Sequence, residues 1–436
     1  MSSSSRSRRS RAVVAASAVA LVTIGVVIAA IAGAFRQPGL TPAQIAARAA
    51  ARARHRLLVA ESRAVERAAS RVVVALPTSA GAPAPSSNGA LFTAPLPAHA
   101  VYGFVPYWEV ANLTAADFAR TSVLSYFGVE VGATGALVRS GYGWQDFTAP
   151  GFASFVAEAH AAHDRVLFTV STTDERVIRH LTGAPGPTSA RLADELASVV
   201  AANHLDGIDI DIEGRSAAQR SGFVTFVRDL SSALRRLVPY GEIVLDTYPQ
   251  SASSTRDFFD VARLAPRVDA LFVMAYDMDD PTVPSANSPL ASPTLGLSDV
   301  GSLLDYVKIV PPAKLVLGLP FYGFDFTTAA RRRGARVLGG GPTAVTYASV
   351  LAAGRPARWD RASYTPYTVY RDQGHWHETW YDDPVSLALK TALASDLHLA
   401  GVGAWALGQE GPATQMVAAL DGGSAPLKLP ITSPAG

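Results

Sequence analysis

Three acids at alternate positions stand out in the stretch Leu205-Asp206-Gly207-Ile208-Asp209-Ile210-Asp211-Ile212-Glu213-Gly214. On a β-strand, residues two apart share a face, so Asp209, Asp211 and Glu213 line one side and Ile208, Ile210 and Ile212 the other. If both faces are covered, the isoleucines pack against helices and the carboxylates point into the interior. Buried carboxylates side by side are costly unless they share protons or hold a cation. Crowding of like charge raises at least one pKa, which yields an acid still protonated near neutrality. Glu213, the last of the three, falls at the mouth, where a substrate reaches it. General acid catalysis is the chemistry this pattern suits best. A Mg²⁺ or Ca²⁺ site is the rival use of such a cluster, and a solvent-facing polar strand the plainest one.

The elements that must position these acids follow from residue 101 onwards. Short β-branched or aromatic runs occur at Val101–Tyr107, Ser122–Val131, Arg165–Ser171, Gly207–Ile212, Glu242–Tyr248, Ala270–Tyr276, Lys314–Phe321 and Gly401–Leu407. Amphipathic stretches such as Ser189–Asn203 and Ala217–Leu237 lie between them. Eight strands alternating with helices predict an α/β fold, a closed (β/α)8 TIM barrel over residues 100–422. An open doubly wound sheet is the competitor, but no GxGxxG follows the first strand. Roughly 80 residues separate the seventh and eighth strands, more than one crossover helix needs. Tyr364–Tyr370 and Trp376–Tyr381 there read as strands, which predicts a small β-rich insertion at about 324–384. Active sites of such barrels lie at the C-terminal strand ends, so the insertion is expected to form a wall of the site. His375 and His377 are too sparse a pair for zinc.

Asp206, Asp209, Asp211 and Glu213 match the DxxDxDxE signature of glycoside hydrolase family 18, the chitinases and their relatives, and the chain resembles that family across the whole body. Gly103-Phe104-Val105-Pro106-Tyr107-Trp108 is similar to its first strand, Met274-Ala275-Tyr276-Asp277 to its MxYD motif, Gly318-Leu319-Pro320-Phe321-Tyr322-Gly323 to its seventh strand and Gly401-Val402-Gly403-Ala404-Trp405 to its eighth. Trp380-Tyr381-Asp382-Asp383 with Ser386 and Lys390 resembles the bacterial spore-germination and cell-wall branch. In place of the family's SxGG, the third strand reads Ser171-Thr172-Thr173-Asp174, a departure from classical secreted chitinases.

The resemblance implies a retaining, substrate-assisted glycosidase without cofactor or metal, acting on β-1,4 bonds next to N-acetylglucosamine. Glu213 would be the general acid and later base, and Asp211 would orient the substrate's acetamido group. Asp209 would share a proton with Asp211, and Tyr276 would hydrogen-bond the acetamido oxygen. Trp405 would stack on the sugar, and Asp277, Met274, Asp206, Tyr107, Trp108, Tyr322 and Glu130 are the expected substrate contacts. The alternative is a lectin-like, non-catalytic binder of chitooligosaccharide or peptidoglycan with the same fold.

The N-terminal part is of another kind. Four arginines in the basic tail 1–11 precede Ala12–Phe35, 24 residues without a charge. About 20 helical residues cross a bilayer core, so 12–35 is expected to be a transmembrane anchor. Ala30-Ile31-Ala32 and Ala32-Gly33-Ala34 also fit signal-peptide cleavage, which would leave the body secreted. Basic residues flank both sides, so the positive-inside rule does not set the orientation. Residues 36–76 read as an Arg/Ala-rich stalk helix, capped by Thr41, Pro42 and Gln44. Residues 77–99 read as a Pro/Ala/Ser linker and 423–436 as a flexible tail. The body is expected outside the cytoplasm, where a wall-facing protein meets peptidoglycan first. No cysteine is present, which excludes disulfide scaffolds and thiolate metal sites, and a formal net charge of +2 gives no reason to expect nucleic acid as partner.

Overall fold

The computed structural model describes residues 96–422 apart from 184–186, 293–296 and 340. The expected tail, anchor and stalk, most of the linker, and the C-terminal 423–436 therefore lie outside the described residues. Among the described residues, no helix is long and apolar enough to cross a membrane.

Seven strands follow one another in the order of the chain: β1 (Ala100–Pro106), β2 (Val123–Glu130), β3 (Arg165–Thr172), β4 (Gly207–Ile212), β5 (Glu242–Thr247), β6 (Ala270–Met274) and β7 (Leu315–Pro320). Between β7 and the last barrel strand come β8 (Tyr322–Thr328), β9 (Thr343–Thr346), β10 (Arg358–Asp360), β11 (Thr365–Asp372) and β12 (His375–Trp380). The last strand, β13 (Gly401–Trp405), pairs with both β1 and β7 and closes a parallel barrel. The expected eight-stranded barrel is thus present, with every predicted strand within two residues of its place. The expected insertion is a separate antiparallel sheet in the order β10-β11-β12-β8-β9, and it starts at Tyr322.

The two faces of β4 divide as the alternation requires. Ile208, Ile210 and Ile212 join the large outer core, which also holds Phe223, Val224, Phe226 and Leu230 of the helix Arg220–Leu237. The barrel interior is filled instead by Phe104, Phe272, Met274 and their neighbours. Phe272 has room only because two facing residues are glycine. A Cβ on Gly318 or Gly403 would stand 2.2 or 2.3 Å from its ring. At the N-terminal end of the strands, Glu242 accepts hydrogen bonds of 2.8 Å from the Tyr102 hydroxyl and the Arg165 guanidinium, which seals the floor.

The insertion is stitched to the mouth of the barrel. Only Phe321 separates β7 from β8; its N–H donates to the Trp405 carbonyl (2.8 Å) and its carbonyl accepts from Tyr347 N–H (2.9 Å). The inner face of the sheet buries Tyr322, Phe324, Phe326, Tyr367 and Trp380, and both Tyr276 and Trp405 pack against this cluster as well as the barrel interior. The chain returns through Asp383, which caps the helix Pro384–Asp396 with its side chain, with proline in the helix's first turn.

A buried cation ties the return to the roof of the barrel. Lys390, fully enclosed, donates to the Ser288 carbonyl, to Ser288 Oγ at 2.9 Å and to Asp382, with Asp299 Oδ2 at 3.8 Å. Burial raises the pKa of Asp299, to about 7, and that of Asp382, while the Lys390 charge opposes the rise in both. Removing one partner of a buried ion group costs about 3–5 kcal/mol. Lys390→Met should therefore lower the free energy of urea unfolding by about that much near neutral pH, and the urea midpoint with it. The loss should shrink in acid, where Asp299 and Asp382 are neutral and need no cation. An unfolding midpoint equal to the wild type's at pH 7 would contradict this.

Candidate active site

The alternation along β4 carries Asp209 into the barrel interior, fully enclosed, and Asp211 one step nearer the mouth. Glu213, half-buried, follows just past the end of the strand. On one side β3 sets Thr169 beside Asp209 and Ser171 beside Asp211. On the other, β5 brings in Asp246, next along from the Ile210–Leu245 pairing, as a fourth buried acid. Asp246 donates a hydrogen bond to Asp211. The sequence reading missed Asp246, although Glu242, Val244, Asp246 and Tyr248 share the inward face of β5 by the same two-residue rule.

Burial raises the pKa of all four carboxyls. For Asp209 the charge of Asp211 adds to it, and the neighbouring Thr169 hydroxyl opposes it. For Asp211, Glu213 adds to it and the bond from Asp246 opposes it. Asp246 is raised further by the other three acids. Glu213 is pushed up to about 7, by burial first and then by the charge of Asp277, with a hydrogen bond from Tyr248 acting the other way. Acids this close must be at least partly protonated at neutral pH. Glu213 is the group of the four that both opens to the mouth and titrates near neutrality, so it can donate a proton there and take one back. Among the described residues, no group of His, Cys, Asp or Glu side chains has an arrangement that would hold a metal ion.

Above the acids, the segment after β6 supplies Tyr276 and Asp277. Asp277 has a left-handed backbone (φ 56°), a conformation that Asp tolerates better than most residues. It is held by its N–H to Asn287 Oδ1 (2.7 Å) and by the Tyr322 hydroxyl donating to its Oδ1 (2.5 Å). Asn287 in turn donates to the Tyr322 carbonyl at 3.2 Å. Tyr276 and Tyr322 meet edge to face with centroids 6.1 Å apart. Burial, and then the charges of Asp246, Asp211, Asp277 and Glu213, drive the Tyr276 pKa upward, so its hydroxyl remains a hydrogen-bond donor. Trp405 is half-buried on the floor of the mouth, edge-on to Phe127 at 4.7 Å and tilted against Phe104 at 5.2 Å.

The structure therefore brings Asp209, Asp211, Glu213, Tyr276, Asp277, Tyr322 and Trp405 to one end of the barrel. Met274 belongs to the packing beneath them. Asp206 does not join them: it precedes β4, and its Oδ2 contacts His160 Nε2 and accepts from Val166 N–H, both at 2.7 Å. It fixes the strand's start and contacts no other acid of the signature. Glu130 is exposed at the end of β2, and its charge is not among those felt by the four acids. Tyr107 is buried in the outer core, and Trp108 packs on that core and stands 6.4 Å from Phe127, one ring removed from Trp405. Tyr248, which reaches Glu213 from the end of β5, is the supporting tyrosine on that side.

Comparison with known proteins adds to this geometry. The family model "Glycosyl hydrolases family 18" matches residues 89–410. Human di-N-acetylchitobiase is 28% identical over 227 residues, 46% of this chain and 57% of that protein. A putative sporulation-specific glycosylase of Bacillus subtilis is 26% identical over 227 residues, 51% of each. The cortical fragment-lytic enzyme of Bacillus anthracis is 27% identical over 214 residues, 46% of each. The chain thus spans about half to three fifths of the length of these relatives. Among solved structures, a chitinase from Cycas revoluta in complex with (GlcNAc)3 superposes with a TM-score of 0.64 at 20% identity, over 74% of this chain and 99% of that one. The spore cortex-lytic enzyme of Bacillus cereus does so with a TM-score of 0.61 at 19% identity, over 74% of each.

Proposed function

Starting from the family to which this chain belongs, the glycosyl hydrolases of family 18, we propose that it hydrolyses β-1,4 bonds next to N-acetylglucosamine with net retention. The observation that carries this reading is Glu213, a half-buried carboxyl titrating at about 7, above three acids sealed in the barrel. Glu213 gives its proton to the glycosidic oxygen as the bond from that oxygen to the anomeric carbon breaks. The carbonyl oxygen of the substrate's own acetamido group attacks the anomeric carbon, forming an oxazolinium ion. Asp211, supported by Asp246 and Asp209, orients the acetamido N–H and stabilises the positive charge. The protonated Tyr276 hydroxyl donates to the acetamido oxygen and holds the near-attack geometry. Trp405 is the apolar plate beneath the sugar. Water then attacks the anomeric carbon and loses its proton to Glu213, which restores both the acid and the retained configuration.

The names of the relatives support a polymer or oligomer of N-acetylglucosamine as substrate; a wall-facing body would meet peptidoglycan first, which puts chitin-like glycans second. This reading includes a body held outside the cytoplasm by residues 12–35. Protease added to intact cells should then digest the barrel, and a body protected until lysis would overturn that orientation. The test of the activity is product analysis by mass spectrometry and early-time NMR after incubation with chitooligosaccharides and with purified peptidoglycan. New reducing ends in the β configuration support the reading. Binding without product over long incubation would instead favour the lectin-like alternative.

The pH profile checks the acid assignment. Glu213 works in its protonated form, so kcat/KM should fall as pH rises through about 7. Asp277→Asn removes the charge that favours that proton while leaving an acceptor for the Tyr322 hydroxyl. The alkaline limb should move to lower pH. A limb that stays in place would show that Asp277 does not tune Glu213.

A further inference from the structure

Charge is unevenly spread on the insertion. Residues 322–381 contain eight arginines, no lysine and four carboxylates, in a chain whose formal net charge is only +2. Three of those carboxylates are engaged within the sheet. Asp325 accepts from Tyr370 and Thr379 and contacts His377; Asp360 holds Arg333 and Ser363; the buried Glu378 accepts from Gly334 N–H and Trp380 Nε1. Only Asp372 is exposed. Of the eight arginines, Arg333 alone has a carboxylate partner among the described residues.

Two of the exposed arginines flank an aromatic ring. The guanidinium carbons of Arg331 and Arg371 lie 5.7 and 5.9 Å from the centre of Trp376. Trp376, Glu378 and Trp380 alternate along β12, so Trp376 lies on the face whose cluster includes Tyr276 and Trp405. It stands about 13 Å further along the strand than Trp380, out from the mouth. The loop that presents Arg331 is pinned rather than loose: Gly334 N–H bonds both Glu378 oxygens (3.2 and 3.0 Å), Arg333 pairs with Asp360, and Thr328 bridges to Val337.

We propose that Arg331, Arg371 and Trp376 form an outer subsite for a glycan whose sugars carry carboxylates. The guanidiniums pair with the carboxylate of a sugar's substituent, and the indole they lie over holds them in place. Arginine's planar fork suits a carboxylate, and fixing it over an aromatic ring reduces the ordering cost of binding. The proposal rests on the reading of the cleft as a glycosidase for N-acetylglucosamine polymers. Within that reading it selects a carboxylated strand such as peptidoglycan over neutral chitin.

The test uses the full chain and an Arg331→Gln/Arg371→Gln variant. Steady-state kinetics are measured at low salt on peptidoglycan glycan strands, on the same strands with their carboxylates amidated, and on a chitooligosaccharide. The wild type should prefer the charged strands. The variant should raise KM on them about tenfold, the equivalent of about 1.4 kcal/mol, with kcat kept, and should leave the other two substrates unchanged. Salt should abolish the difference. An equal change on all three substrates, or none on the charged strands, would overturn the subsite. So would inhibition of the wild type by poly(glycerol phosphate) as strong as that by uncleaved charged strands, since that marks a general polyanion surface. A wild type that releases no product from any substrate overturns the catalytic reading instead. Calorimetric binding of charged against amidated strands by wild type and variant then decides the subsite separately.

Discussion

Replacing Glu213 by glutamine is expected to reduce turnover by about 10²–10⁴-fold or more while glycan binding persists. The amide keeps the length and shape of the side chain and still accepts from Tyr248, but it neither protonates a leaving oxygen nor takes a proton from water. The same variant carries a second expectation, on stability. Glu213 loses its proton at about 7 in the folded protein instead of about 4.5, because burial and Asp277 disfavour the anion. A raised pKa contributes stability that is complete below the unfolded value and is lost as pH rises through the folded one. Above pH 7 the neutral glutamine avoids that loss, so the variant should melt no lower than the wild type, and higher in alkali. An inactive variant that melted well below the wild type would point to a packing role. Wild-type turnover would remove Glu213 from the mechanism.

The next largest effect should come from the substrate rather than the protein. If the acetamido carbonyl is the nucleophile, a glycan with a free amine at the cleaved sugar should bind but resist cleavage by at least about 10³-fold. Intramolecular nucleophiles of good geometry are worth that much and more. Asp211→Asn should be severe on the natural substrate, since it weakens stabilisation of the oxazolinium charge. It should add little to the loss already seen on the deacetylated one, because both changes disable the same step. A thiazoline mimic of the cyclised intermediate should inhibit the wild type strongly and the Asp211→Asn variant weakly. Efficient cleavage of the deacetylated bond would require a nucleophile from the protein or the solvent and would end the substrate-assisted reading.

What the sequence made legible was whatever depends on local periodicity. The β4 pattern alone separated the inward acids from the outward isoleucines, and the eight strands emerged from β-branched runs with helices between them. The overlong gap after the seventh strand announced the insertion. What stayed hidden depends on who stands beside whom across the barrel. Asp246 completes the acid cluster from the neighbouring strand, and only the register of β4 on β5 puts it next to Asp211. Asp206 is the reverse case. It belongs to the signature by spacing, yet it lies before the strand begins and ties that strand to His160 and the start of β3. Asn287 and Lys390 were legible as residues but not as struts, since their partners lie 35 and 102 positions away.

The seam between β7 and β8 leaves a single residue, Phe321, to join the barrel to the sheet that walls the cleft, and that residue is bonded on both sides. A hinge needs a few residues free to change their backbone angles, and none are present at this crossing. The Lys390 knot secures the other end of the same sheet. Both crossings between the barrel and its sheet are thus bonded in place before any glycan arrives.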